Sequence, residues 1–217
     1  MKKIVVLISG RGSNFVAIQE SALREDWEHS IGAKIVAVIS NRPDAKGLEL
    51  AKNYGIDALC VDHKAFETRE AFEEKLYEVV SQYEPDLIVL AGFMRILTAG
   101  FVDRFEGKIL NIHPALLPSF KGLDTHQRAI DAGVRMAGTT VHFVTAALDG
   151  GAIIAQAAVP VLPSDDAHRL ADRVLVYEHQ IYARAVKACV TGKVLYENER
   201  AVMDDQTALE LTLFGQI

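Results

Sequence analysis

The chain has 217 residues, half of them hydrophobic, with a formal charge of -6 and an isoelectric point near 5.6. That length supports one or two domains with a buried core, and the acidic balance argues against a broad nucleic-acid surface, which needs basic excess. No apolar run reaches the roughly 18 residues of a membrane span, and Cys60 and Cys189 lack metal or redox spacing, which fits a reducing cytoplasm.

Met1-Lys2-Lys3 precedes the apolar run Ile4–Ile8, which leads into a Gly-rich turn. This reads as a buried parallel strand rather than a secretory signal. Ser9-Gly10-Arg11-Gly12-Ser13-Asn14 follows, then a helical pattern through about Glu25. A second strand is expected over Ala33–Ser40, with a turn at Asn41–Asp44. A helix is expected from Lys46 to Tyr54, closed by Gly55, and a short strand over Ala58–Val61. Thr68 to Tyr83 reads as a helix with Phe72, Leu76, Val79 and Val80 at helical spacing, although Thr68-x-x-Ala71 is not a full capping box. Leu87–Ala91 and Ile109–His113 are further strands. From Thr139 the rhythm changes. Thr139–Thr145 and Ile153–Leu162 look like strands flanking Asp149-Gly150-Gly151. Asp165–Thr191 is one long helix with Leu170, Val174, Tyr177, Ile181 and Ala185 on one face. Tyr196–Ile217 is weakly patterned. Strands alternating with helices predict an α/β fold with an open, mostly parallel sheet and right-handed crossovers. One domain over residues 1–193 with a C-terminal tail over 194–217 is expected.

The loop after the first strand combines glycines with a helix start, whose free N–H groups and positive dipole end suit phosphate. It is neither a Walker loop nor a full G-x-G-x-x-G, because Phe15 occupies the third position. A tight turn with Ser13 as helix cap would explain it equally simply. Ala91–Leu97 follows a strand end, where ligands of parallel sheets bind. With Arg95 among apolar residues it suits a flat heteroaromatic ligand, or it is a packing loop with Met94 and Leu97 buried.

Asn111-Ile112-His113-Pro114 is the most chemical stretch. Asn111 and His113 are two apart and share a strand face, and Pro114 stops the ladder. An amide donor beside a titratable ring suits reaction at a carbonyl, the amide holding an oxyanion and the ring handling a proton. A satisfied core histidine is the plainer alternative. Asp149, just before a glycine pair, is the carboxylate that favours catalysis. His142 could join this group, His126, His168 and His179 could touch ligand, and His29 and His63 read as surface residues. No two histidines have the i, i+4 spacing of a helical metal site with a carboxylate joining them, so no metal is expected.

Taken together, Val6–Asn14, Ser40-Asn41-Arg42, Leu90–Leu97, Asn111–Pro118, Gly138–Val144 and Leu148–Gly151 closely resemble the phosphoribosylglycinamide formyltransferase family, in order, through about Lys193. The resemblance implies a Rossmann-like formyltransferase fold with helices on both sheet faces. It also implies transfer of a formyl group from 10-formyltetrahydrofolate, a co-substrate, to the amino group of glycinamide ribonucleotide in purine synthesis. By the same resemblance, Asn111, His113 and Asp149 form the catalytic trio. Arg11, Gly12, Ser13 and Asn14 take the ribonucleotide phosphate, and Glu178 holds the ribose. Arg69, Met94, Arg95, Ile96, Leu97 and the Val144–Asp149 loop, with Val144, Ala146 and Ala147, line the folate pocket. Pro118–Asp131 matches a mobile loop over the substrate. Ala146-Ala147 replace a more polar pair, at a place where folate is held largely by backbone, and Ser119 stands where some members carry lysine.

The expected partners are these two small molecules, with no nucleic acid and no membrane, and the protein is expected as a cytoplasmic monomer or homodimer. A methionyl-tRNA formyltransferase would add a basic tRNA domain, and a formyltetrahydrofolate hydrolase an N-terminal regulatory one. Neither is expected here. A non-catalytic nucleotide-binding module would explain the first loop but not Asn111, His113 and Asp149 together.

Overall fold

The computed structural model describes residues 1–215. Gln216 and Ile217, the end of the expected tail, lie outside the described residues. The chain divides into two compact units, Met1–Leu110 and Asn111–Ile217.

The first unit runs β1 (Lys2–Ile8), α1 (Ser13–Arg24), α2 (Trp27–Ser30), β2 (Ala33–Ser40), α3 (Lys46–Asn53), β3 (Asp57–Cys60), a 3-10 turn at His63–Ala65, α4 (Arg69–Ser81), β4 (Leu87–Leu90) and α5 (Ala99–Asp103). Its strands lie in the order β4-β1-β2-β3, all parallel. Ile4 to Ile8 are fully buried, as an unbroken apolar run requires when a strand has neighbours on both sides and cover on both faces. At the edge, β3 has no fully buried residue. Thr68 caps α4 without the rest of a capping box, its hydroxyl accepting from the Ala71 amide at 3.1 Å. α2 and α5 were not expected. Helices of four and five residues are too short to show a 3.6-residue period.

The second unit continues from β5 (Ile109–His113), which straddles the division, through α6 (Thr125–Asp131), β6 (Met136–Phe143), β7 (Ile153–Pro160), α7 (Ala167–Val190), β8 (Leu195–Glu197), β9 (Arg200–Val202), α8 (Asp205–Glu210) and β10 (Thr212–Phe214). Here the order is β10-β7-β6-β5. β6 and β7 are antiparallel, β10 adds to β7 in parallel, and β8 and β9 pair antiparallel. The sheet is mostly parallel and the fold is α/β, as expected. The weakly patterned tail carries structure because three-residue strands are set by their partners, not by local pattern. α6 likewise occupies the second half of the expected loop.

α7 packs on β6 and β7. Asp166 caps it, accepting from the Arg169 amide at 2.8 Å. Beside the cap, Arg173 forks onto the buried Asp165, with the shorter contact at 2.6 Å, and donates to the Pro160 carbonyl at 2.8 Å. The buried face holds Leu170, Val174, Ile181 and Ala185 as expected, but at the intervening turn Glu178 is buried and Tyr177 only partly so.

Candidate active site

In the first unit, the loop after β1 opens on a cavity of about 540 Å³ lined by Gly10, Arg11, Gly12, Ser13 and Asn14, together with Arg42 and Arg95. Gly12, not Ser13, stands at the cap of α1, and no side chain caps that end. The first intrahelical bond runs from the Val16 amide to the Gly12 carbonyl at 2.9 Å, so the amides of the first turn have no partner within the helix. Three guanidinium groups and a helix start, with no carboxylate in the lining, give this cavity the chemistry to hold an anion, although the Arg42 guanidinium is itself forked onto Asp44 at 3.0 and 2.7 Å. Gly12 has φ +76°, and a Cβ there would come 3.0 Å from the Cα of Gly47. Its glycine is therefore needed for the close approach of α3 as well as for ligand access. Gly10 has nothing within 4 Å of an added Cβ.

The Ala91–Leu97 loop borders the same cavity and is pinned at both ends. The Met94 amide donates to Ser9 Oγ at 2.8 Å, and the Thr98 amide donates to Glu73 Oε1 at 3.0 Å, with a second very short contact from the Thr98 hydroxyl to the same carboxylate. Ser9 in turn donates to Asn41 Oδ1 at 2.6 Å, and His63 Nδ1 lies 2.8 Å from the Asn41 carbonyl. All of this is internal to the first unit. His63 is not the surface residue expected: it is half-buried, lines the cavity and meets Phe72 edge-on. Along the loop, Leu97 is buried while Met94 and Ile96 are exposed, and Arg95 lies over the Phe72 ring at 5.1 Å. Arg69 opens α4 and is exposed, away from the cavity lining.

In the second unit, four polar side chains form a chain, three of them buried and Asn111 half-buried. His113 Nδ1 lies 3.5 Å from Asp149 Oδ2, His142 Nε2 lies 3.9 Å from Asp149 Oδ1, and Asn111 Nδ2 lies 3.3 Å from His142 Nε2. His113, Asp149 and His142 expose 7, 8 and 3% of their side chains, so these contacts act with little solvent screening. β5 delivers Asn111 and His113 on one face. Asp149 comes from the β6–β7 turn, where it takes φ 46°. The glycines after it are structural, since a Cβ at Gly151 would overlap the Phe143 carbonyl.

The segment before α6 closes on this group. His113 Nε2 donates to the Phe120 carbonyl at 2.9 Å, and the Gly122 amide donates to Asp149 Oδ2 at 2.9 Å. Both nitrogens of His113 thus face oxygens, Nε2 that of Phe120 and Nδ1 that of Asp149. Burial pushes the pKa of His142 down, against the opposing pull of the Phe143 carbonyl and Asp149. It pushes His126 down too, with His113 adding to the effect. Val144, Ala146 and Ala147 follow β6, the two alanines exposed, and Glu178 sits buried on α7. His168 is an exposed partner of Asp172.

A formyl transferase family model matches residues 2–186. The chain is 43% identical to the phosphoribosylglycinamide formyltransferase of Escherichia coli over 94% of both chains. It belongs to that formyltransferase family. The crystal structure of glycinamide ribonucleotide transformylase 1 from Symbiobacterium toebii superimposes with a TM-score of 0.87 at 45% identity, covering 94% of this chain and 95% of that one. The Coxiella burnetii phosphoribosylglycinamide formyltransferase gives 0.88 at 39% identity over 98 and 99% of the two chains. The bovine trifunctional purine biosynthetic protein adenosine-3 is 45% identical over 91% of this chain, which spans 19% of that longer protein. For this formyltransferase, the residues that sequence reasoning passed over are Ser9, Glu73, Phe120 and Gly122. A backbone carbonyl and amide leave no sequence sign, and a buried glutamate in a helix looks like any surface one.

Proposed function

We infer that this chain transfers the formyl group of 10-formyltetrahydrofolate to the amino group of glycinamide ribonucleotide. The observation that carries this reading is the polar chain Asn111–His142–Asp149–His113, in a family of formyltransferases. The ribonucleotide phosphate takes the first-unit cavity, on Arg11 and the amides of Gly12, Ser13 and Asn14. Glu178 holds the ribose. Arg69, Met94, Arg95, Ile96, Leu97, Val144, Ala146 and Ala147 contact the folate. The catalytic region is residues 1–193, and the reaction belongs to a reducing cytoplasm, in keeping with two free cysteines.

The neutral amine attacks the formyl carbon directly. A C–N bond forms, the carbonyl electrons move to oxygen, and the Asn111 amide and His113 Nε2–H stabilise that oxyanion. The formyl oxygen takes the place now held by the Phe120 carbonyl on His113. Asp149 holds His113 in orientation and, through a water, carries the amine proton to the folate nitrogen as the old C–N bond breaks. The products are the N-formylated ribonucleotide and tetrahydrofolate. Side-by-side binding supplies much of the rate, since orientation alone is worth about 7–11 kcal/mol. Mixing the purified protein with 10-formyltetrahydrofolate tests the reading. The folate is expected to be consumed only after the ribonucleotide is added, and consumption without it would mean a hydrolase instead.

A further inference from the structure

His142 has two hydrogen-bond partners, and together they fix its state. Nδ1 lies 2.8 Å from the Phe143 carbonyl, which can only accept, so Nδ1 carries the proton. Nε2 lies 3.3 Å from Asn111 Nδ2, which can only donate, so Nε2 is bare. Both contacts hold only for the neutral ring with its proton on Nδ1. His142 is 2% exposed, so water offers neither nitrogen a substitute. Asn111, in contrast, has an amide that fits its space either way round. Turned over, its oxygen would face the lone pair of Nε2 across the same gap.

We propose that His142 is a positioning residue whose bare Nε2 fixes which way round the Asn111 amide sits. One hydrogen of Asn111 Nδ2 goes to Nε2, and the second hydrogen of the same nitrogen is left for the oxyanion. A protonated His142 would present an N–H to that nitrogen and turn the amide over, replacing the donor by a carbonyl. The charged and titratable groups acting on His142 are Asp149, which favours protonation, and His113 and Lys121, which oppose it along with burial. His142 thus serves the reaction by staying uncharged, while His113 serves it by donating. This inference rests on the oxyanion role of Asn111 in the function proposed above.

The test is a double-mutant cycle with kcat and KM measured separately. His142→Phe is expected to lower kcat by about 100-fold, the cost of one lost oxyanion donor, with KM for both substrates little changed. In an Asn111→Ala background the same substitution should cost almost nothing more. His142→Gln, whose carbonyl can accept from Asn111, should keep most of the turnover. Additive losses, or full turnover in His142→Phe, overturn the proposal. On the wild-type protein, ¹⁵N shifts of the ring should report Nδ1 protonated and Nε2 bare at neutral pH, and the reverse tautomer overturns the proposal whatever the variants do. If Asn111→Ala itself keeps full turnover, the oxyanion reading fails. If Asn111→Ala is crippled and His142→Phe is not, only the role of His142 falls.

Discussion

The cavity of the first unit and the polar chain of the second solve different problems with different materials. The cavity is built from backbone amides, glycines and long cations, around a loop held by Ser9, Asn41 and Glu73. In the function proposed above it recognises a charge that is present before and after reaction, so it has no need of a titrating group at the contact. The second-unit chain is built from short side chains, two of them histidines with different hydrogen-bond partners. In that function it meets a charge that exists only during reaction, and there the position of each hydrogen matters. Damage to the first should therefore appear in KM and damage to the second in kcat.

The largest effects belong to the second unit. His113→Ala and Asp149→Asn should each lower kcat by roughly 10²–10⁴-fold, with the ribonucleotide KM nearly unchanged. Asparagine tolerates the positive φ that Asp149 adopts, so the turn between β6 and β7 should survive that exchange. Near wild-type turnover in either variant would remove the trio from the chemistry and erase the contrast between the two regions.

Next come the glycines of the first loop, where ligand and fold can be separated. A Cβ at Gly10 meets nothing within 4 Å, so Gly10→Ala should leave stability near wild type and raise the ribonucleotide KM by about 10–100-fold, the worth of a charge-assisted hydrogen bond or two. Gly12→Val combines a strained φ with the approach of Gly47, and should also lower the unfolding midpoint. Equal loss of stability in both variants, by urea titration, would mean that Gly10 is structural too.

Ser9→Ala should act more gently. It leaves the Met94 amide and Asn41 Oδ1 without their buried partner, a cost of about 1–3 kcal/mol in stability. The Met94–Leu97 loop loosens, so the folate KM should rise several-fold while the ribonucleotide KM moves less. An unchanged folate KM would show that the loop does not depend on this anchor.

These gradations follow what was legible in the chain. β1 and α7 announced themselves because a buried run and a long amphipathic period are local signals. The spacing of Asn111 and His113 gave their shared face, and the glycines after Asp149 marked the turn that carries it. α2, α5, α6 and β8 to β10 left no period to read. The anchors Ser9 and Glu73 went unread because their partners, the Met94 and Thr98 amides, are remote in sequence. His63 looked like a surface residue until Asn41 and Phe72 closed around it. The exchange of Tyr177 for Glu178 on the buried side of α7 shows the same limit: pattern favours the apolar neighbour, and a buried carboxylate is found only from the fold.

The smallest expected effect is in pH, and it distinguishes the two units by sign. His126 and His142 in the second unit have pKa values pushed below the ordinary 6.5 by burial. The unfolded chain therefore takes up protons below about pH 6.5 that the folded unit refuses, and stability drains away as pH falls from there toward the folded values. His29 in the first unit runs the other way: Asp26 raises its pKa, so its contribution is present below pH 6.5 and is lost as pH rises through the raised value. That residue is fully exposed and its share is small, so the sum should be a protein that gains stability between about pH 5.5 and 6.5. Urea midpoints measured across that range should rise with pH in the wild type and rise less in His126→Phe, which removes a half-buried base whose buried Nε2 has no hydrogen-bond partner among the described residues. His29→Ala should leave the rise intact or steepen it slightly. A His126→Phe protein whose midpoints climb as steeply as the wild type would move the acid sensitivity away from the polar segment around His126, and leave His142 as the ring whose burial carries it.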